Sequence, residues 1–128
     1  MIVDTSALVA VVLGEPDAES IAARMMGADE LSVSATTLTE ALIVVDAKQG
    51  PDAVSDLHAL LAELEISVLP YDEEQAEVAH AAWRRFGKGR HTAALNLGDT
   101  FSYAACTTTG RPLLHKGSDF GQTDLPLA

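Results

Sequence analysis

The chain has 128 residues, enough for one domain with a sizeable buried core. Hydrophobic residues make up 48% and charged residues 21%, an ordinary globular balance, and the single cysteine excludes both an intrachain disulfide and a multi-cysteine metal site. A formal net charge of -11 argues at face value against nucleic acid, yet from Arg84 to Lys116 six basic residues accompany one acid, while the other 18 acids share the rest with two basic residues.

The chain opens Met1-Ile2-Val3-Asp4-Thr5-Ser6. Residues 1–4 read as a strand, with Ile2-Val3 suited to burial and Asp4 at its carboxyl tip. Asp4 reads either as a cap or turn residue or as a site carboxylate, and Ser6 can cap the next helix. Asp4 also interrupts any apolar leader, and no run approaches the roughly 18 apolar residues of a membrane span, so a cytoplasmic protein is expected. Ser6 to Leu13 forms a short apolar helix ended by Gly14-Glu15-Pro16. A second helix starts at Pro16 and runs to about Met26, with Ile21 and Met25 on one face.

Leu31 to Ser34 is a second strand. A helix from about Thr36 to Gln49 carries Leu38, Leu42 and Val45 on one side; Gly50 ends it, and Pro51 opens another that runs to about Glu65. Ile66 to Leu69 is a third strand. Asp72 with Gln75 resembles a capping box, and the helix beyond carries Ala76, Ala79, Ala82, Trp83 and Phe86. Gly87-Lys88-Gly89-Arg90 is expected to be a flexible loop. A helix from near Gly98 to Thr109 packs through Phe101, Ala104 and Ala105, and Pro112 to Leu114 is a fourth strand. The tail from Gly117 adds a short edge strand or stays irregular. Strands alternating with helices predict parallel pairing through right-handed crossovers: an α/β/α sandwich around a parallel sheet of four or five strands, formed by residues 1–128 as one domain.

Four acids stand where this topology places the carboxyl edge of the sheet. Asp4 follows the first strand, Glu40 lies about one turn into the helix after the second, Asp99 opens the last long helix, and Asp119 lies just past the fourth strand. Taken singly, Asp99 also reads as a helix start, Asp119 as a turn residue and Glu40 as a solvated helix residue. Gathered in one pocket they would repel, by around 4 kcal/mol for two unit charges about 4 Å apart at an effective dielectric near 20. A divalent cation resolves that repulsion, and oxygen-only ligands favour Mg²⁺ or Mn²⁺ over zinc. Such a site suits phosphodiester chemistry, because the metal polarises the phosphoryl oxygen and lowers the pKa of bound water.

The opening hexapeptide, Glu40 in Thr-Leu-Thr-Glu-Ala, Asn-Leu-Gly-Asp-Thr-Phe-Ser-Tyr-Ala at 96–104, and Leu-Leu-His-Lys-Gly-Ser-Asp-Phe-Gly-Gln-Thr-Asp at 113–124 occur in family order along the whole chain. Together they resemble a PIN-domain ribonuclease of the VapC type, the toxin half of a bacterial toxin–antitoxin pair. The resemblance implies an endoribonuclease dependent on Mg²⁺ or Mn²⁺, with Asp4, Glu40, Asp99 and Asp119 as its acidic quartet. Asp4 and Asp99 would be the firmest metal ligands, with Glu40 and Asp119 completing the site directly or through water. It further implies a homodimer and a cognate antitoxin whose basic side chain enters the acidic pocket. Thr5 or Ser6 would bond to Asp4 or a phosphate, and Asn96 would steady the loop before Asp99. Asp124 reads as a turn residue first and a supporting acid second. His115 departs from the larger aromatic or apolar residue common there and reads as a strand-end substitution.

Arg84, Lys88, Arg90 and His91, with Arg85, are the candidates for contacting an RNA backbone; a solvated helix end and loop is the plainer reading. Trp83 reads as core or dimer interface before base platform, His58 and His80 as surface or interface, and Cys106 as a buried, inert thiol. Two other functions fit less well. A phospho-receiver-like module would pair early acids with a late lysine such as Lys116, but here the acids come from four separate segments. A PIN domain that only binds would not need all four acids.

Overall fold

The structure is a computed structural model that describes every residue except Ser118 and, for Asp119, the backbone alone. Among these residues, four short strands make one parallel sheet in the order β3-β2-β1-β4: β1 is Ile2–Val3, β2 Ser32–Ser34, β3 Ser67–Leu69 and β4 Leu113–Leu114. Ile2 aligns with Ser32 on one side and Leu113 on the other, so β1 is internal and its side chains are fully buried. The chain moves outward from β1 through β2 to β3, then returns to the opposite side of β1 as β4. That reversal opens a crevice beside β1, where ligands of open α/β sheets bind.

Among the described residues, five helices flank the sheet: α1 (Thr5–Leu13), α2 (Ala18–Met26), α3 (Ala35–Glu63), α4 (Glu73–Phe86) and α5 (Leu97–Thr109). The expected three-layer sandwich around a parallel sheet is therefore present, with four strands. One face of the sheet packs Leu8, Met25, Val33, Val45 and Leu57 together with the inward sides of α1, α2 and α3. The other face packs Ile2, Phe86, Leu95, Tyr103 and Phe120 with α4 and α5. Each fully buried Leu, Ile or Phe of these clusters contributes roughly 1.5–3 kcal/mol over leaving it in water.

Several boundaries differ from the sequence expectation for local reasons. Asp4, not Ser6, caps α1, since its carboxylate accepts the Ser6 backbone N–H at 3.1 Å. Pro16 lies in a turn closed by the Ala18 N–H on the Glu15 carbonyl at 2.9 Å, so α2 begins at Ala18. The two helices expected around Gly50 run as one broken helix, α3, with Gly50 at φ 74 and ψ -161 and Pro51 restarting the turns. Asp72 accepts the Gln75 N–H, but the Gln75 side chain bonds Thr108 instead of returning to Asp72, leaving half of the capping box.

The buried line of α4 is Gln75, Ala79, Ala82 and Phe86, leaving Ala76 and Trp83 exposed. The segment after α4 is a hydrogen-bonded turn. Lys88 N–H meets the Leu95 carbonyl, Leu95 N–H meets that of Phe86, and Arg90 and His91 N–H groups both meet that of Gly87. The tail adds a single bridge, Leu127 to Leu113, along the outer edge of β4. Among the described residues, no helix is long and apolar enough to cross a membrane.

Candidate active site

Asp4 follows β1 directly, at the carboxyl end of the sheet. It is 5% exposed, and one oxygen accepts the Ser102 hydroxyl at 2.5 Å while the other accepts the Ser6 hydroxyl at 2.7 Å and the Ser6 N–H. Capping and site placement thus coincide: the bonds that start α1 also fix the plane of the carboxylate. Glu40 arrives from the second turn of α3 and takes the Thr5 hydroxyl.

Asp99 is the third residue of α5 and is 9% exposed. Its carboxylate accepts the Asn96 N–H at 3.0 Å, and Asn96 Oδ1 accepts the Asp99 N–H at 2.9 Å, a reciprocal capping box that sets the loop before the helix. The helix start also favours negative charge at Asp99. Gly98 allows this approach of α5 to α3, because a Cβ there would run into the Glu40 carboxylate.

These three acids come from separate parts of the chain and line one cleft of about 330 Å³, together with Thr5, Ser6 and Asn96. Glu15 and Lys116 stand on the same wall. Lys116 Nζ lies 2.9 Å from a Glu15 oxygen and 3.4 Å from one of Asp17, while its N–H donates to Ser6 Oγ at 2.8 Å. Its ammonium pKa is raised by the hydrogen bond to Glu15 and by the Asp17 charge, so it stays protonated. Asp119 belongs to a 3-10 turn spanning Asp119–Gln122, and its expected role as the fourth acid lies outside the described residues.

The donors of the cleft are carboxylate and hydroxyl oxygens, the set that suits a hard divalent cation. Among the described residues, no three Asp, Glu, His or Cys side chains form a ready-made cage. Mg²⁺ typically binds through one or two carboxylates and keeps several waters, so this donor set fits it without such a cage.

Other expected residues fall elsewhere. Asp124 is absent from the cleft lining; it accepts the Tyr103 hydroxyl at 2.7 Å and an Arg85 nitrogen at 3.0 Å, clamping the tail onto α4 and α5. Tyr103 is consequently pushed up to about 12, by burial first and the Asp124 bond second. His115 packs edge-on against Phe120 at 5.2 Å. Cys106 is buried and free, and burial, with the Asp4 charge adding, pushes its thiol up to about 12, which fits an inert role.

Of the basic stretch, Arg111 bonds Ser32 and the carbonyls of Met1 and Glu30. Arg84, Lys88, Arg90 and His91 stay on the surface at the end of α4 and in the following turn. Arg90 donates to the Arg84 carbonyl at 3.0 Å, and His91 Nδ1 accepts the Ala93 N–H. Ser102 was not anticipated, although its position three residues after Asp99 puts both on one side of α5.

A profile of the family described as PIN domain matches residues 1–125. The chain is 48% identical over 126 residues to ribonuclease VapC36 of Mycobacterium tuberculosis, covering 98% of this chain and 91% of that one. It is 40% identical over 125 residues to ribonuclease VapC of Mycolicibacterium smegmatis, covering 98% and 97%. Mycobacterium tuberculosis VapC20, described as a sarcin–ricin loop cleaving toxin, has a similar fold, with TM-score 0.82 at 18% identity over 99% of this chain and 97% of that chain. A toxin–antitoxin complex from Klebsiella pneumoniae aligns with TM-score 0.74 at 16% identity, over 99% and 95%.

Proposed function

The chain belongs to the VapC ribonucleases of the PIN-domain family, and on that premise we propose that it is the endoribonuclease toxin of a toxin–antitoxin pair, hydrolysing RNA phosphodiester bonds with Mg²⁺ or Mn²⁺. The observation that carries this reading is the convergence of Asp4, Glu40 and Asp99 on one cleft at the carboxyl end of the sheet. Asp4 and Asp99 would hold the cation, with Glu40 and Asp119 completing the site. When bound there, the ion would supply phosphoryl polarisation and a water of lowered pKa.

The chain's own groups do the rest. Ser6 and Ser102 hold the Asp4 oxygens in one plane, and Asn96 holds Asp99. Glu40, steadied by Thr5, accepts the proton of the attacking water. Lys116, ion-paired with Glu15 and Asp17, fixes the cleft wall and steadies Ser6 through its backbone N–H. Arg84, Lys88, Arg90 and His91 supply the salt-sensitive, sequence-independent part of RNA binding.

We further place the chain as a single PIN domain acting in the cytoplasm, inhibited by an antitoxin with a basic segment that complements the acidic cleft. A homodimer face is supported by Ile43 and Leu97, exposed by 64% and 71%, which flank a groove with Val44 and Phe101.

The test uses purified protein, free of antitoxin, incubated with total RNA with and without Mg²⁺. Asp4→Asn and Asp99→Asn should each lower cleavage by at least about 100-fold, the scale of several kcal/mol of transition-state stabilisation. Asn at position 4 still caps α1 and Asn at position 99 can still accept the Asn96 N–H, so circular dichroism and melting temperature should stay close to the parent. Full activity in either variant refutes the assignment.

A further inference from the structure

Asn96 lines two hollows. One is the acidic cleft; the other, of about 430 Å³, lies between α4 and α5 and is lined also by Tyr71, His80, Trp83, Lys88 and Thr100. Its size falls in the range of about 300–1,000 Å³ typical of small-molecule sites. Trp83 is 41% exposed there, a large apolar surface left in water.

The indole is held from several sides. A Cβ at Gly87 would run into the Trp83 ring, so the turn after α4 presses against its edge. The Arg90 guanidinium lies 4.9 Å from its centroid, and the His80 ring lies nearly parallel to it, at 14° and 6.3 Å. Tyr71 is braced edge-on by Phe101 at 5.1 Å. The result is a fixed aromatic platform with Lys88 on its lining and Arg84 and Arg90 nearby on the exposed end of α4 and the turn. A flat π-system on an anionic chain complements that surface: the aromatic rings take the base, and the cations take the flanking phosphates.

We propose that this cavity is a nucleobase subsite, in which a base of single-stranded RNA adjacent to the cleaved phosphate stacks on Trp83 in place of the Arg90 guanidinium that covers the ring at 4.9 Å. The inference rests on the ribonuclease reading and adds to it the residues that position the substrate. Asn96 ties the two hollows together. Its Oδ1 accepts the Asp99 N–H, which leaves its amide NH₂ as a donor for a base acceptor. A cation at Asp4 and Asp99 would hold the phosphate, and Asn96, lining both hollows, connects that position to the Trp83 cavity. The other occupant for a part-apolar hollow is a second copy of this chain, whose acidic surface the same cations would also attract; the aromatic wall of Tyr71, His80 and Trp83 beside Lys88 favours a base on an anionic backbone.

Trp83 is the chain's single tryptophan, so its fluorescence reads this cavity alone. The full-length protein in EDTA is titrated with a ten-nucleotide single-stranded RNA of mixed sequence, and cleavage kinetics with Mg²⁺ are compared for Trp83→Leu and Trp83→Phe. Saturable quenching is expected. Trp83→Leu should raise KM about 10-fold, the scale of losing one base–aromatic stack, with kcat within about 3-fold, and Trp83→Phe should restore most of the KM. Unchanged fluorescence together with unchanged KM in Trp83→Leu overturns the subsite while leaving the nuclease reading intact. Fluorescence that changes with protein concentration alone, in step with dimerisation by sedimentation, also overturns it, because a second copy then fills the cavity. A wild-type protein that cleaves no RNA refutes the ribonuclease reading instead, and the titration still reports on the cavity. If Trp83→Leu misfolds, the wild-type titration and Trp83→Phe decide the matter.

Discussion

The two ends of the parallel sheet handle polarity in opposite ways. At the amino end, Arg111 reaches across β4, β1 and β2, giving its N–H groups to Ser32 Oγ and to the carbonyls of Met1 and Glu30. With the Met1 ammonium on the Glu30 carbonyl at 2.7 Å and an ion pair to the Glu30 carboxylate at 3.8 Å, Arg111 closes that edge. At the carboxyl end, Asp4 and Glu40 are oriented by the hydroxyls of Ser6, Ser102 and Thr5, and Asp99 by a backbone N–H. Hydroxyls and amides aim a carboxylate without cancelling its charge. One end is built for cohesion and the other keeps its negative charge available for a cation, which is how a small fold separates stability from chemistry.

Substitutions can break that separation, and the largest expected effect is at the carboxyl end. Gly98→Ala inserts a methyl where the Glu40 carboxylate lies. The far end of a glutamate moves readily and Ala favours helix over Gly by about 1 kcal/mol, so the melting temperature should hold or rise. RNA cleavage should fall about 10-fold as Glu40 leaves its place, the scale of disturbing a partner around a metal site. Cleavage equal to the parent would show that Glu40's position does not matter.

At the amino end the effects should reverse. Arg111→Met keeps the aliphatic stem but removes its hydrogen bonds to Ser32, Met1 and Glu30, each of which retains another partner, and should cost about 1 kcal/mol in urea unfolding with cleavage per folded molecule unchanged. An activity loss without a stability loss would refute the division of labour.

The smallest effect lies in the clamp on the tail. Tyr103→Phe should cost about 0.5–1 kcal/mol at neutral pH. Its signature is alkaline. In the folded chain Tyr103 holds its proton to about 12 against an ordinary 10. Its contribution is thus complete below pH 10 and is lost as pH rises through 12. Thermal melts from pH 9 to 12 should decline less steeply in Tyr103→Phe. Cys106, raised from 9 to about 12, keeps part of the slope in both proteins.

Much of this arrangement was legible in the sequence. Ile2-Val3-Asp4 announced a buried strand with a carboxylate at its tip, and the alternation of strands and helices carried Glu40 and Asp99 to the same edge. What was hidden has physical causes. Gln75 occupies a core slot of α4, its amide bonded to Thr108, and a polar residue in that slot obscured the true face of the helix. That is why Trp83 read as core or dimer interface. Ser102 shared a side of α5 with Asp99, but its partner Asp4 lies 98 residues away, so its role could not be read locally. Asp124 shares a motif with the expected site acids, yet its partner Arg85 comes from α4, a pairing only the tertiary fold creates.

The bridge between Leu127 and Leu113 carries a further consequence. Leu113 N–H meets the Pro126 carbonyl at 3.1 Å, and Ala128 N–H meets the Leu113 carbonyl at 2.8 Å. Without those last residues, β4 would offer its outer backbone as a template for any extended peptide, one strand away from Asp4. The tail thus guards the sheet against self-templated growth at the margin nearest the cleft.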